Sequence, residues 1–238
     1  MTSTRVAGLL LAAGRSSRFA GGDHKLVALF RGRPLAAWAL ATLRTVVAEG
    51  SLDSAYIVTG AVSLAPALRW VLDNEGGTAP SGIPDRGRPG SKDRLDIGRA
   101  WSAVTDDDDS TLAAALGLTL VINRGWAAGQ ASSLAAGVAR AEADGHDAVV
   151  VGLADQPFID HRAWAAVAEA DGPIVVATFD GKRRPPVKLG AEVWPLLPQE
   201  GDVGARTLLG LRPDLVSEIP CMGNPIDIDT LEDLQQWS

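Results

Sequence analysis

Six consecutive residues, Ala148 to Leu153 (AVVVGL), are apolar with no polar alternation. A strand wetted on one face carries a polar residue at every second position, so this run reads as a strand buried on both faces, as in a parallel sheet. Val6 to Ala12 (VAGLLLA) is a second apolar run of strand length. Other elements alternate along the chain. Pro34 opens a helical run to Ala48, Ala55–Thr59 is a strand, and Leu64–Leu72 is a helix. Leu118–Ile122 is a strand followed by a helix to Ala143, Asp160–Ala170 is a capped helix, and Ile174–Thr178 is a strand. Such alternation predicts an α/β fold. Arg183–Leu189, with two prolines, reads as a short edge strand because proline cannot donate in a central ladder. Val216–Ile219 is a last strand, and Thr230 caps a terminal helix.

The 238 residues, 46% of them hydrophobic, suit one domain with a substantial core. A net charge of -7 leaves no basic footprint for nucleic acid. The single cysteine, Cys221, rules out an internal disulfide and a cysteine metal cluster, so nothing asks for an oxidising compartment. No stretch approaches the roughly 18 apolar residues of a membrane span, and Gly8–Ala13 is too short for a signal-peptide core. A cytoplasmic protein is expected. From Gly76 to Ser110 glycine, proline and charge dominate; no packed element is predicted there, and 76–110 reads as a flexible insertion.

The first apolar run ends at Gly14 in a loop carrying Arg15, Arg18, Gly21, Gly22 and Lys25. Glycines let backbone N–H groups approach oxygens, and the cationic side chains neutralise phosphate, so a polyphosphate is the expected ligand. The spacing is neither that of a Walker loop nor the G-x-G-x-x-G dinucleotide fingerprint. Asp155 follows the second run and is either a turn residue or a ligand at the carboxyl end of a buried strand. Asp227-Ile228-Asp229 would point both carboxylates one way if extended. A cationic loop with separated aspartates is what Mg²⁺-dependent phosphoryl chemistry requires. One of Ser132 and Ser133 is expected to cap the helix after Gly129. His24, His146 and His161 are scattered, with His24 expected at the surface, and the tryptophans on helices are expected to pack.

Leu11-Ala12-Ala13-Gly14-x-x-x-Arg18 with Lys25 resembles the signature of the nucleoside-triphosphate transferases related to the molybdenum-cofactor nucleotidyltransferases. Asn123-x-x-Trp126-x-x-Gly129-x-x-Ser132-Ser133-Leu134, Asp155-Gln156-Pro157, Gly201-Asp202-x-Gly204-Ala205-Arg206 and Asp227-Ile228-Asp229-Thr230 follow in the family's order. The resemblance implies a Rossmann-like single domain over 1–238, with a mostly parallel twisted sheet and helices on both faces. It implies that Leu11, Ala12, Ala13, Gly14 and Arg15 contact the nucleotide, that Arg18 and Lys25 hold the triphosphate, and that Ser133 lies near the base. Asp155, with Asp227 and Asp229, would hold Mg²⁺, and catalysis would fall to Arg18, Lys25 and Asp155.

The Leu-Ala-Ala-Gly turn is similar to the cytidylyltransferase branch, which implies CTP, a molybdopterin-type phosphorylated acceptor and transient contact with a molybdoenzyme or its chaperone. The chain departs from the family at Arg184-Pro185-Pro186-Val187, where relatives carry Gly-His-Pro-Val or Gly-Asn-Pro-Val near the acceptor. A different phosphorylated acceptor therefore stays open. So does a degenerate nucleotide-binding maturation chaperone, whereas a dinucleotide-dependent oxidoreductase does not fit the glycine spacing.

Overall fold

A computed structural model describes residues 4–14, 16, 19, 24–75, 106–202 and 204–238. The chain runs β1 (Val6–Leu11), β2 (Leu29–Phe30), β3 (Arg33–Pro34), α1 (Leu35–Ala48), β4 (Ser54–Thr59), α2 (Ala65–Glu75), α3 (Asp106–Ala115) and β5 (Thr119–Ile122). It continues through α4 (Gln130–Ala143), β6 (Ala148–Leu153), α5 (His161–Glu169), β7 (Ile174–Phe179), β8 (Lys182–Gly190), α6 (Ala205–Leu211), β9 (Val216–Pro220) and α7 (Leu231–Trp237).

The main sheet has seven strands in the order β5-β4-β1-β6-β8-β7-β9. β5, β4, β1 and β6 pair in parallel, as do β7 and β9, and β8 alone runs against its neighbours. Every residue of β1 is buried, which explains why its sequence lacks polar alternation. Its side chains divide between two cores. Val6 and Leu10 pack with α1, α2, α3 and α5, while Ala7, Leu9 and Leu11 pack with α4, Trp194 and Leu208 of α6. The sheet is therefore covered on both faces, in agreement with the α/β expectation.

Two elements differ from their sequence readings. β8 is interior, lying between β6 and β7. Its prolines are tolerated because the pairing to β6 stops at Val151–Val187, and the register with β7 shifts between Val176 and Ala177, where Pro185 and Pro186 fall. The aspartate run is not loop either, since Asp106–Ala115 is helical. Asp109 is buried there; its carboxylate accepts from the Leu64 backbone N–H and the Ser63 hydroxyl, each at 2.7 Å, docking α3 on the start of α2. A charged run that supplies one buried cap looks, in sequence, like a solvated excursion. Residues 76–105, including Trp101, lie outside the described residues.

A third, smaller cluster positions the end of the chain. Phe30, Leu35 and Ile228 are fully buried, with Trp38, Phe158, Leu234 and Trp237 packed around them. α7 starts with a capping box in which Thr230 and Asp233 satisfy each other's backbone N–H groups, as the sequence suggested for Thr230.

Candidate functional site

The carboxyl ends of β1 and β6 open into a cleft of ≈ 590 Å³. Leu11, Ala12, Ala13, Gly14, Lys25, Ser133, Asp155, Asp227 and Asp229 all line it. Segments more than 200 residues apart in the chain are brought together, because parallel strands place all their carboxyl ends on one edge. Arg15 and Arg18 lie outside the described residues.

Lys25 is the hub. Its buried ammonium donates to Asp155 Oδ2 at 2.5 Å and to Asp229 Oδ1 at 2.7 Å. Burial by itself would make the ammonium lose its proton more easily, but the charges and hydrogen bonds of Asp155 and Asp229 outweigh it and hold the proton more firmly than usual. Asp155 is set by the strand before it, since the Ala154 N–H donates to the Leu11 carbonyl. The backbone N–H of Ile228 donates to the Asp155 carbonyl at 3.0 Å. With Ile228 buried in the third cluster, the residues on either side of it, Asp227 and Asp229, are turned to the cleft.

Gln156 completes the carboxylate cluster. It is 3% exposed, and its Nε2 donates to Asp227 Oδ1 at 2.8 Å. Burial, and then the negative charge of Asp155, push the Asp227 carboxyl above the usual carboxylate range, while the bond from Gln156 opposes the shift. Gln156 has a motif position in sequence but no readable role, because its partner is 71 residues away.

His24 is not a surface side chain. It is half-buried, and its Nε2 lies 2.7 Å from the Gly14 carbonyl and 2.9 Å from the Ser16 hydroxyl, tying the two ends of the first loop together. Burial lowers its proton affinity, the Gly14 carbonyl opposes this, and the Lys25 charge lowers it further.

At the other end of the cleft lie Trp126, Ala127, Gly129, Gln130, Asp202 and Arg206. Gly129 has φ +102°, and a Cβ there would stand 2.5 Å from the Gly201 backbone. Gly60 is constrained by space alone, as its missing Cβ makes room for the Trp126 side chain. Neither serine caps α4, whose N-cap is Gly129 without a side-chain bond. Instead Asn123 Nδ2 donates to both hydroxyls at 3.0 Å, and Ser132 donates back to the Gly129 carbonyl at 2.8 Å. The nearby asparagine outcompetes the helix end, a contact that propensity does not reveal.

The donor set fits a hard divalent ion. Among the described residues no three ligand side chains stand as a ready cage, yet the Lys25 ammonium already bridges two carboxylates as a cation would. Mg²⁺ in particular uses one or two carboxylates, keeps several waters and takes further ligands from phosphates.

Over residues 8–82 and 95–216 the chain matches the MobA-like NTP transferase domain. It belongs to that family. The chain is thus an NTP transferase of the nucleotidyltransferase class, with a nucleoside triphosphate as substrate. It is 29% identical over 239 residues to the purine catabolism protein PucB of Bacillus subtilis (strain 168), covering 98% of this chain and 96% of that protein. It is 32% identical over 133 residues to the nicotine blue oxidoreductase of Paenarthrobacter nicotinovorans, covering 48% of this chain and 62% of that one.

Among solved structures, the manganese complex of Rv0371c from Mycobacterium tuberculosis H37Rv has a TM-score of 0.63 at 20% identity, covering 98% of each chain. A nucleotidyl transferase from Methanothermobacter has a TM-score of 0.64 at 18% identity, covering 98% of this chain and 96% of that one. The inositol-1-phosphate CTP transferase from T. maritima has a TM-score of 0.60 at 12% identity, covering 100% and 97%. These likenesses show a shared fold. Among the described residues no helix is long and apolar enough to cross a membrane.

Proposed function

We propose that the protein transfers CMP from CTP to a phosphorylated acceptor of the molybdopterin type, releasing pyrophosphate. The observation that carries this reading is the Lys25 ammonium held between Asp155 and Asp229 at the strand ends. A triphosphate needs fixed positive charge, and the carboxylates beside it suit a divalent ion. Asp155 and Asp227, with Asp229, would hold Mg²⁺, which supplies charge neutralisation on the phosphate oxygens. The family's manganese-bound fold relative supports a divalent ion of some kind.

Lys25 and Arg18 would hold the triphosphate, the turn Leu11 to Arg15 would contact the nucleotide, and Ser133 would lie near the base. A phosphate oxygen of the acceptor attacks the α-phosphorus in line and forms a new P–O bond. The bond from the α-phosphorus to the bridging oxygen of the β-phosphate breaks, and pyrophosphate leaves with the electron pair. Lys25 stabilises the charge that develops on it. The Leu-Ala-Ala-Gly turn supports CTP, and the family resemblance supports molybdopterin and a transient encounter with a molybdoenzyme or its chaperone. One transferase domain spans 1–238, and the break in the family match between residues 82 and 95 supports an insertion within 76–110. The single cysteine supports a cytoplasmic location.

Pyrophosphate release with each NTP, Mg²⁺ and a panel of phosphorylated acceptors including molybdopterin tests the reading. Release with CTP, lost in Asp155→Ala while the circular dichroism spectrum is retained, is expected. CTP binding with no release across the panel would instead favour a nucleotide-binding maturation factor. The relative named an oxidoreductase favours a further reading, redox chemistry, and tight NAD(P)H binding indifferent to metal would support that one.

A further inference from the structure

Asp227 and Asp229 belong to two clefts. Besides the one described above, they line a second of ≈ 490 Å³ on their other side, bounded by Phe179, Lys182 and Arg184 and by Pro225, Ile226 and Asp233. Strand alternation in β8 sends Lys182 and Arg184 to this cleft, while Arg183 turns away and pairs with Glu218 at 2.7 Å. Neither Lys182 nor Arg184 pairs with a carboxylate among the described residues; Arg184 Nη1 donates only to the Arg183 carbonyl, at 3.0 Å.

The acids of the same cleft are largely committed elsewhere. Asp233 closes the capping box with Thr230, Asp227 takes Gln156, and Asp229 takes Lys25. Asp180, at the hairpin turn, is the remaining one. Two uncommitted cations therefore stand across a cavity from the carboxylates assigned to the metal. An acceptor phosphate approaching those carboxylates is repelled, so its binding free energy has to come from a remote part of the molecule.

We propose that this second cleft takes the acceptor, and that the acceptor carries, besides its attacking phosphate, a second anionic group held by Lys182 and Arg184. The proposal rests on the nucleotidyl transfer described above but replaces its molybdopterin-type acceptor with the alternative of a different phosphorylated acceptor, whose chemical class it names: a phosphate ester with a further carboxylate or phosphate. The forked guanidinium of Arg184 can bind such a group through two hydrogen bonds.

The test is calorimetric titration of the full chain, with Mg²⁺ and with or without α,β-methylene CTP, using glycerol 3-phosphate and 3-phosphoglycerate as matched probes. The second probe differs by a carboxylate and is expected to bind about tenfold more tightly. Lys182→Gln combined with Arg184→Gln should erase that preference, and Arg183→Gln, on the opposite face, should keep it. Equal binding of the two probes, binding of neither, or a preference that persists in the double variant would overturn the proposal. Failure of the CTP analogue to bind strikes the nucleotidyl reading instead, and the titrations without nucleotide still decide this one.

Discussion

The side-chain amide of Gln156 holds the carboxylate of Asp227 at 2.8 Å, joining the end of β6 to the segment before α7. Gln156 is buried, and its Oε1 has no hydrogen-bond partner among the described residues. The amide is thus turned to serve the carboxylate through its nitrogen at the expense of its own oxygen. Groups that orient a metal ligand typically matter by about 10- to 100-fold in affinity or activity. Gln156→Leu should therefore weaken Mn²⁺ binding by about 10- to 100-fold, measured by titration, with little loss of melting temperature. Unchanged Mn²⁺ affinity would leave Gln156 a packing residue.

Lys25 offers a different test, because its ammonium occupies the charge-neutralising place between two carboxylates. Lys25→Met removes the ammonium that Asp155 and Asp229 share. Their side chains keep 18% and 24% exposure, so water moderates the loss to about 1–3 kcal/mol. A divalent ion should then substitute for the missing charge. Adding Mn²⁺ is expected to raise the melting temperature of the variant more than that of the natural protein. An equal rise in both would show that the metal and Lys25 do not share these carboxylates.

Asp227 makes stability depend on pH in a direction opposite to the usual aspartate. Its folded carboxyl holds its proton above the ordinary range, through burial first and the Asp155 charge second. Between its unfolded and its raised folded value the folded state binds more protons, so this group's contribution to stability declines as pH rises through that window. Asp227→Asn removes the cost. Thermal melts of metal-free protein should show the variant more stable at neutral pH, the gain vanishing below the ordinary carboxylate range. Metal-dependent turnover should fall by roughly 100-fold or more. A variant less stable at neutral pH would contradict this account.

Gly129 joins backbone geometry to the cleft. Its φ of +102° disfavours any other residue, and an added Cβ would meet the Gly201 backbone. Gly129→Ala should cost about 1–3 kcal/mol in denaturant melts and weaken nucleotide binding in the same variant. Loss of stability with full nucleotide affinity would separate this turn from the binding site.

Much of the scaffold was legible because it is local. The uninterrupted apolar runs at Val6 and Ala148 read as buried strands, and they pair side by side in the middle of the sheet. Asp155 and the Asp227–Asp229 pair stood out as carboxylates beside a cationic loop. β8 misled because proline forbids a regular ladder but not one whose pairing breaks off at the prolines themselves. His24 misled because a polar residue in a glycine-rich loop looks solvated until its partner carbonyl, ten residues earlier, is known.

The periodicity and charge of the chain determined the α/β class, the cationic, glycine-rich composition of the first loop and the acids available for chemistry, since each depends on residues close together in sequence. The pairing of Lys25 with Asp155 and Asp229, the hold of Gln156 on Asp227, and the placing of Lys182 and Arg184 across a second cleft were decided by the fold. Those distances are set by which strand ends the sheet brings to one edge, and no short stretch of chain encodes that.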